Sequence, residues 1–103
     1  MSDENQIHIP PSFFALFADA RQRLSEPLAV VRERYEVCED LANHLTEHGS
    51  HMLHRLGVSE DEVLRRTHAG LLSPESGVSA AEAGWIVQRL AELLGWPWAE
   101  PLR

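Results

Sequence analysis

Residues 28–56 read LAVVRERYEVCEDLANHLTEHGSHMLHRL, and this stretch decides the fold. Apolar or small residues recur in it in alternating steps of three and four. They are Leu28, Val31, Tyr35, Cys38, Ala42, Leu45, Gly49, Met52 and Leu56. Because this spacing keeps the side chains on one narrow stripe, it predicts a single long helix with a buried seam.

We expect this helix to cover residues 27–56, since proline is accepted in a first helical turn and Gly57 favours a stop. A helix of that length measures about 45 Å. It must therefore protrude from so short a chain, bend near Gly49, or pair with another helix. The small seam residues Ala42 and Gly49 allow close packing either by the chain's own fourth helix or by a second copy in a homodimer.

Two later segments share a helix-start pattern in which serine precedes glutamate by three residues, at Ser59 and at Ser79. In that arrangement each side chain can satisfy the other residue's backbone amide, which is a capping box. The pattern predicts a third helix over about 60–72 and a fourth over about 80–94, ended by Gly95.

An earlier helix is expected over about 13–24, with Ser12 as its cap. No segment has the alternation of a strand. The sequence therefore predicts an all-α fold: one domain over residues 1–103, built as a small bundle of about four helices around the long one. We expect residues 1–9 to be mobile and residues 96–103 to form an irregular tail.

Composition narrows the class of protein. The 103 residues carry 9 basic and 16 acidic side chains, a formal charge of -7, which disfavours nucleic acid as a partner. Cys38 is the single cysteine, so no intrachain disulfide can form and a reducing cytoplasm is expected. The start of the chain lacks a secretory pattern, and no apolar run approaches the length that spans a bilayer, so we expect no membrane association.

The sequence offers no catalytic motif. It has no glycine-rich phosphate loop, and all nine basic residues are arginine, so the lysine of such a loop is missing. Acidic neighbours of Cys38 disfavour a reactive thiolate at that position. We therefore predict that the protein is not an enzyme and needs no cofactor.

Apolar residues in excess of what so short a chain easily hides predict a protein-interaction surface, with aromatic side chains as its anchors. The expected contact residues are Phe13, Phe14, Phe17, Trp96 and Trp98. On this interpretation the protein is a non-catalytic interaction or adaptor module, and its negative charge steers it toward a basic partner.

A polar row on the long helix gives the main alternative. It consists of Glu33, Glu36, Asp40, His44, Glu47, His51 and His54. Of these, His44, Glu47, His51 and His54 are candidate metal ligands, which would make the protein a metal sensor or store. A solvated helix face is the simpler explanation of the same row. A third alternative is an acidic protein that mimics nucleic acid or occupies the binding site of a nucleic-acid-binding protein.

Four motifs spread over residues 7–96 carry a family resemblance: IPPSF at 9–13, RYExCEDLA at 34–42, EAGW at 82–85 and RLAELLGW at 89–96. With these motifs the chain resembles a family of small bacterial proteins that bear the label "ATPase with chaperone activity". The resemblance implies a bacterial cytoplasmic protein that works beside a chaperone or unfoldase, and it implies no catalytic residue.

Overall fold

The protein is all-α, as the sequence predicts. The computed structural model describes residues 8–98, and within them it contains four α-helices and no strand. The helices are α1 (Pro11–Phe14), α2 (Leu28–Leu56), α3 (Glu60–Leu71) and α4 (Ala80–Leu94). Short 3-10 turns follow α1 at Ala15–Phe17 and α3 at Pro74–Ser76. The predicted bounds of α2, α3 and α4 are each within one residue of these.

The chain divides into two compact units, one ending at Val37 and the other beginning at Cys38. The boundary falls inside the continuous helix α2. A single domain over the whole chain stays a prediction. The expected mobile start and irregular tail lie mainly in residues 1–7 and 99–103, outside the described residues, and residues 96–98 are not helical.

Helix α2 buries the middle of its predicted seam. Val31, Cys38 and Ala42 are fully buried, and Tyr35 is half-buried. The seam is open at both ends, since Leu28 is 47% exposed and Leu56 is 55% exposed. The buried part of the seam is therefore shorter than the helix itself, whose 29 residues span about 44 Å.

In the second unit α3 and α4 pack against each other. Fully buried side chains include Val63 and Leu64 of α3 and Ile86 and Leu90 of α4. Burying a side chain of this size typically contributes about 1.5–3 kcal/mol. This apolar contact explains why both segments adopt the helical pattern that their sequence predicts.

Gly49 of α2 is a buried small residue of this unit. A Cβ atom at Gly49 would lie 3.4 Å from Leu94 Cδ1, 3.8 Å from Val63 Cγ1 and 4.0 Å from the Trp96 ring. Side chains of the same chain therefore occupy the space beside Gly49. Of the two packing alternatives for this part of the seam, the structure shows the intrachain one.

The two predicted capping boxes differ. At α4 the box is complete, because Ser79 Oγ accepts from the Glu82 amide at 3.0 Å and Glu82 Oε1 accepts from the Ser79 amide at 2.9 Å. At α3 only half forms: Ser59 Oγ accepts from the Glu62 amide at 3.1 Å. The Glu62 carboxylate instead accepts from two arginines, Arg66 Nε at 2.8 Å and Arg65 Nη1 at 3.3 Å.

The predicted first helix over 13–24 is wrong. Helix α1 starts one residue before Ser12, its N-cap is Pro10, and no side chain caps it. The helical path ends after the 3-10 turn at Phe17, and residues 18–27 form a loop. The apolar cluster around Phe13 gives the segment a helical pattern, but residues 18–25 form the hydrogen bonds of a loop instead.

Candidate functional site

The predicted aromatic contact residues differ in burial. Phe13 has no exposed surface, and its ring centroid lies 5.6 Å from that of Phe17 and 5.5 Å from that of Tyr35, the latter edge-on. Such ring pairs add about 0.5–1.5 kcal/mol beyond the area that they bury. Phe13 is therefore a core residue, and we remove it from the predicted contact surface. Phe14 and Phe17 are half-buried and remain.

A tight loop over residues 18–25 follows these phenylalanines. Its two arms are joined by backbone bonds from the Ser25 amide to the Phe17 carbonyl at 2.7 Å and from the Asp19 amide to the Arg23 carbonyl at 2.9 Å. At its tip, Gln22 has a φ of 65°. This is the left-handed region that non-glycine residues rarely adopt.

Asp19 holds the shape of this loop. Its Oδ1 accepts from the Arg21 amide at 2.8 Å and from the Arg23 amide at 2.9 Å, and its Oδ2 accepts from Arg23 Nε at 3.3 Å. The amide bonds, that of Arg23 first, keep the pKa of the Asp19 carboxyl below its ordinary value. Aspartate that bonds to nearby amides competes with helix formation, which explains why the helix stops.

Two open grooves border the loop within the first unit. One, of about 340 Å³, is lined by Phe14, Pro11, Ala15, Ala18, Asp19, Ala20 and Gln22. The other, of about 270 Å³, is lined by Phe17, Leu16, Ala18, Asp19, Arg23, Leu24 and Ser25. Each half-buried phenylalanine thus faces a concave surface. A side chain of another protein can enter such a surface without disturbing the core.

Trp96 and Trp98, the other predicted contact residues, belong to the second unit. Both are half-buried. The Trp96 ring lies beside Gly49, and the indole Nε1 of Trp98 is buried without a hydrogen-bond partner among residues 8–98. Since they do not belong to the unit that contains the phenylalanines, we treat the two aromatic groups as separate features.

The polar row of α2 is an exposed face. Every one of its seven members is exposed: Glu33, Glu36, Asp40, His44, Glu47, His51 and His54. His48 is also exposed, whereas His68 of α3 is half-buried. No group of three or more histidine, cysteine or acidic side chains in residues 8–98 is placed to hold a metal ion. The predicted four-ligand set of His44, Glu47, His51 and His54 is therefore not assembled.

Reasoning from the sequence missed the loop at Asp19. A signal was present, because aspartate favours turns, where its side chain bonds to the backbone two residues further on. The segment ADARQRLSEP at 18–27 lacks glycine and asparagine, the usual markers of a positive φ. The bulky apolar cluster at 13–17 therefore predicts a helix that the following residues do not continue.

Comparisons with family models, curated proteins and solved structures find no match to this chain. Within residues 8–98, no helix is both long and apolar enough to cross a membrane. The candidate site is thus defined by geometry alone.

Proposed function

We propose that the protein is a non-catalytic interaction module, an adaptor, whose main contact is the groove beside Phe14. The single observation that carries this proposal is the half-buried Phe14 ring at an open groove whose border, the loop at residues 18–25, is fixed by Asp19. A preformed edge reduces the ordering cost of binding.

The occupant that we propose is an apolar side chain on a partner protein with a basic surface. The Phe14 ring and the alanines that line part of the groove support an apolar occupant. The formal charge of -7 and the exposed polar row of α2 support a partner with a basic surface, because opposite charges accelerate the encounter of two proteins.

The family resemblance suggests a chaperone or unfoldase as this partner, and with it a bacterial cytoplasmic location. A homodimer also stays a prediction. Because the chain's own side chains fill the space beside Gly49, a homodimer would need another surface.

The test compares two groove variants with one matched control. Phe14→Ala removes the proposed anchor, and Ala15→Arg places a charge in the same groove at an exposed position. Leu72→Ala removes a 50% exposed apolar side chain from the second unit and serves as the control. Circular dichroism confirms the fold of each variant before use.

Each protein is immobilised through one terminus and incubated with a lysate of the native host. Mass spectrometry then quantifies the proteins that it retains. We expect at least one partner that wild type and Leu72→Ala recover equally and that both groove variants lose. Its recovery should also fall with added salt, because screening weakens the encounter of opposite charges. Equal recovery of every protein by all four samples would disprove a contact at the groove.

A further inference from the structure

Histidines are concentrated in the part of α2 that belongs to the second unit. Four of the chain's six lie within residues 44–54, and all four are exposed: His44, His48, His51 and His54. His44 and His48 are the one pair among them separated by four residues. On an α-helix this separation places two side chains on the same face, about 5–6 Å apart at Cβ, as does the three-residue separation of His51 from His48 and from His54.

The orientation of His44 is fixed by a backbone bond. Its Nδ1 lies 3.0 Å from the Asp40 carbonyl oxygen. Because a carbonyl oxygen only accepts hydrogen bonds, a bond between these two atoms requires the tautomer with the proton on Nδ1. In the neutral ring the lone pair is then on Nε2, which points away from this bond. Histidines that ligate metals commonly donate their other ring N–H in this manner.

From these observations we propose that His44 and His48 form a two-histidine surface site for a divalent transition-metal ion of the Zn²⁺, Ni²⁺ or Cu²⁺ type. Two histidines at this separation on one helix face can ligate one ion. Imidazole suits these metals, and water molecules complete the coordination, since no third protein ligand is in place within the described residues. The inference does not depend on the groove or on the adaptor function.

The other histidines are less suited to the same role. Arg55 is exposed and follows His51 by four residues, so a cation there competes with a bound metal ion. His54 is adjacent in sequence to the same arginine. His54→Ala is therefore a matched control, because it removes an exposed imidazole from the same helix and leaves the proposed pair intact.

Tag-free protein titrated with Zn²⁺ alone, and separately with Ni²⁺, in a calorimeter tests the proposal. We expect one ion per chain, and at least about tenfold weaker binding in His44→Ala and in His48→Ala. Binding to His54→Ala should stay within about twofold of wild type. Since an ion that binds the folded chain raises its stability, saturating Zn²⁺ should also raise the melting temperature of wild type and His54→Ala only.

Either of two results would overturn the proposal. One is unchanged affinity in both His44→Ala and His48→Ala. The other is an equal loss in all three variants, which would mean that the histidines act as a diffuse group. All three side chains are exposed, so the variants should keep their fold. Circular dichroism of each variant checks this and distinguishes either result from unfolding.

Discussion

Removing the ion pair between Glu39 of α2 and Arg89 of α4 should measurably destabilise the second unit. Arg89 Nε donates to Glu39 Oε1 at 2.8 Å, and Arg89 Nη2 donates to Glu39 Oε2 at 2.9 Å. This forked geometry is the strong form of such a pair. A second acceptor, Glu92 Oε1, lies 3.1 Å from Arg89 Nη1.

The expected coupling energy of the Glu39–Arg89 pair follows from the solvent exposure of its two side chains. The Arg89 side chain is 33% exposed and that of Glu39 is 22% exposed. Fully exposed pairs contribute about 0–1 kcal/mol, whereas breaking a buried pair costs about 3–5 kcal/mol. Solvent still screens this pair, so we expect a coupling energy of about 1–1.5 kcal/mol. The pair of Arg89 with Glu92, whose side chain is 70% exposed, should give less than about 0.5 kcal/mol.

Acid should abolish the larger coupling. The hydrogen bonds from Arg89 hold the pKa of the Glu39 carboxyl below its ordinary value. A carboxyl with a lowered pKa in the folded state stabilises the fold above its unfolded-state pKa. That contribution is lost as the pH falls through the folded-state value. The coupling should therefore be complete at neutral pH and vanish once Glu39 is protonated.

Urea unfolding followed by circular dichroism supplies the measurement, with Glu39→Gln, Glu92→Gln, Arg89→Ala and the two double variants. The difference between the two double-mutant cycles is the relevant quantity, because Arg89 is common to both. Equal couplings in the two cycles, or a Glu39 coupling that persists in acid, would refute the reasoning from exposure and geometry.

Three further changes test other parts of the structure. Gly70→Ala should stabilise the protein by about 0.5–1 kcal/mol, because Gly70 is helical with open space around it, whereas Gly77→Ala should destabilise it by about 1–2 kcal/mol, because Gly77 has a φ of 78°; urea unfolding measures both. Ser79→Ala should cost about 1 kcal/mol in the same assay, since it removes the cap of α4. Cys38 is fully buried, so a thiol reagent should label it only after denaturant is added, and rapid labelling of the native protein would contradict the described packing.

The sequence predicts α2 to within one residue because local and tertiary preferences agree there. The three-four spacing marks the face that is buried, and Gly57 ends the helix. The starts and ends of α3 and α4 were predictable for a similar reason, since serine caps and Gly95 act through bonds to nearby residues.

The first unit was less predictable because its shape depends on competition between neighbours. Whether Asp19 bonds to the loop amides or faces solvent on a helix is decided by small energy differences. The burial of Phe13 depends on Tyr35, more than 20 residues away in the chain. Spacing marks such residues as apolar, but it does not separate core positions from contact positions.

The unequal starts of α3 and α4 imply that the two helices fray at different free energies. The Glu82 carboxylate accepts from the backbone amide of Ser79, whereas the Glu62 carboxylate accepts from Arg65 and Arg66 instead of from the amide of Ser59. Amide hydrogens at the beginning of α3 should therefore exchange with deuterium before those at the beginning of α4. The junction of α2 and α3 then opens more readily than the loop that precedes α4.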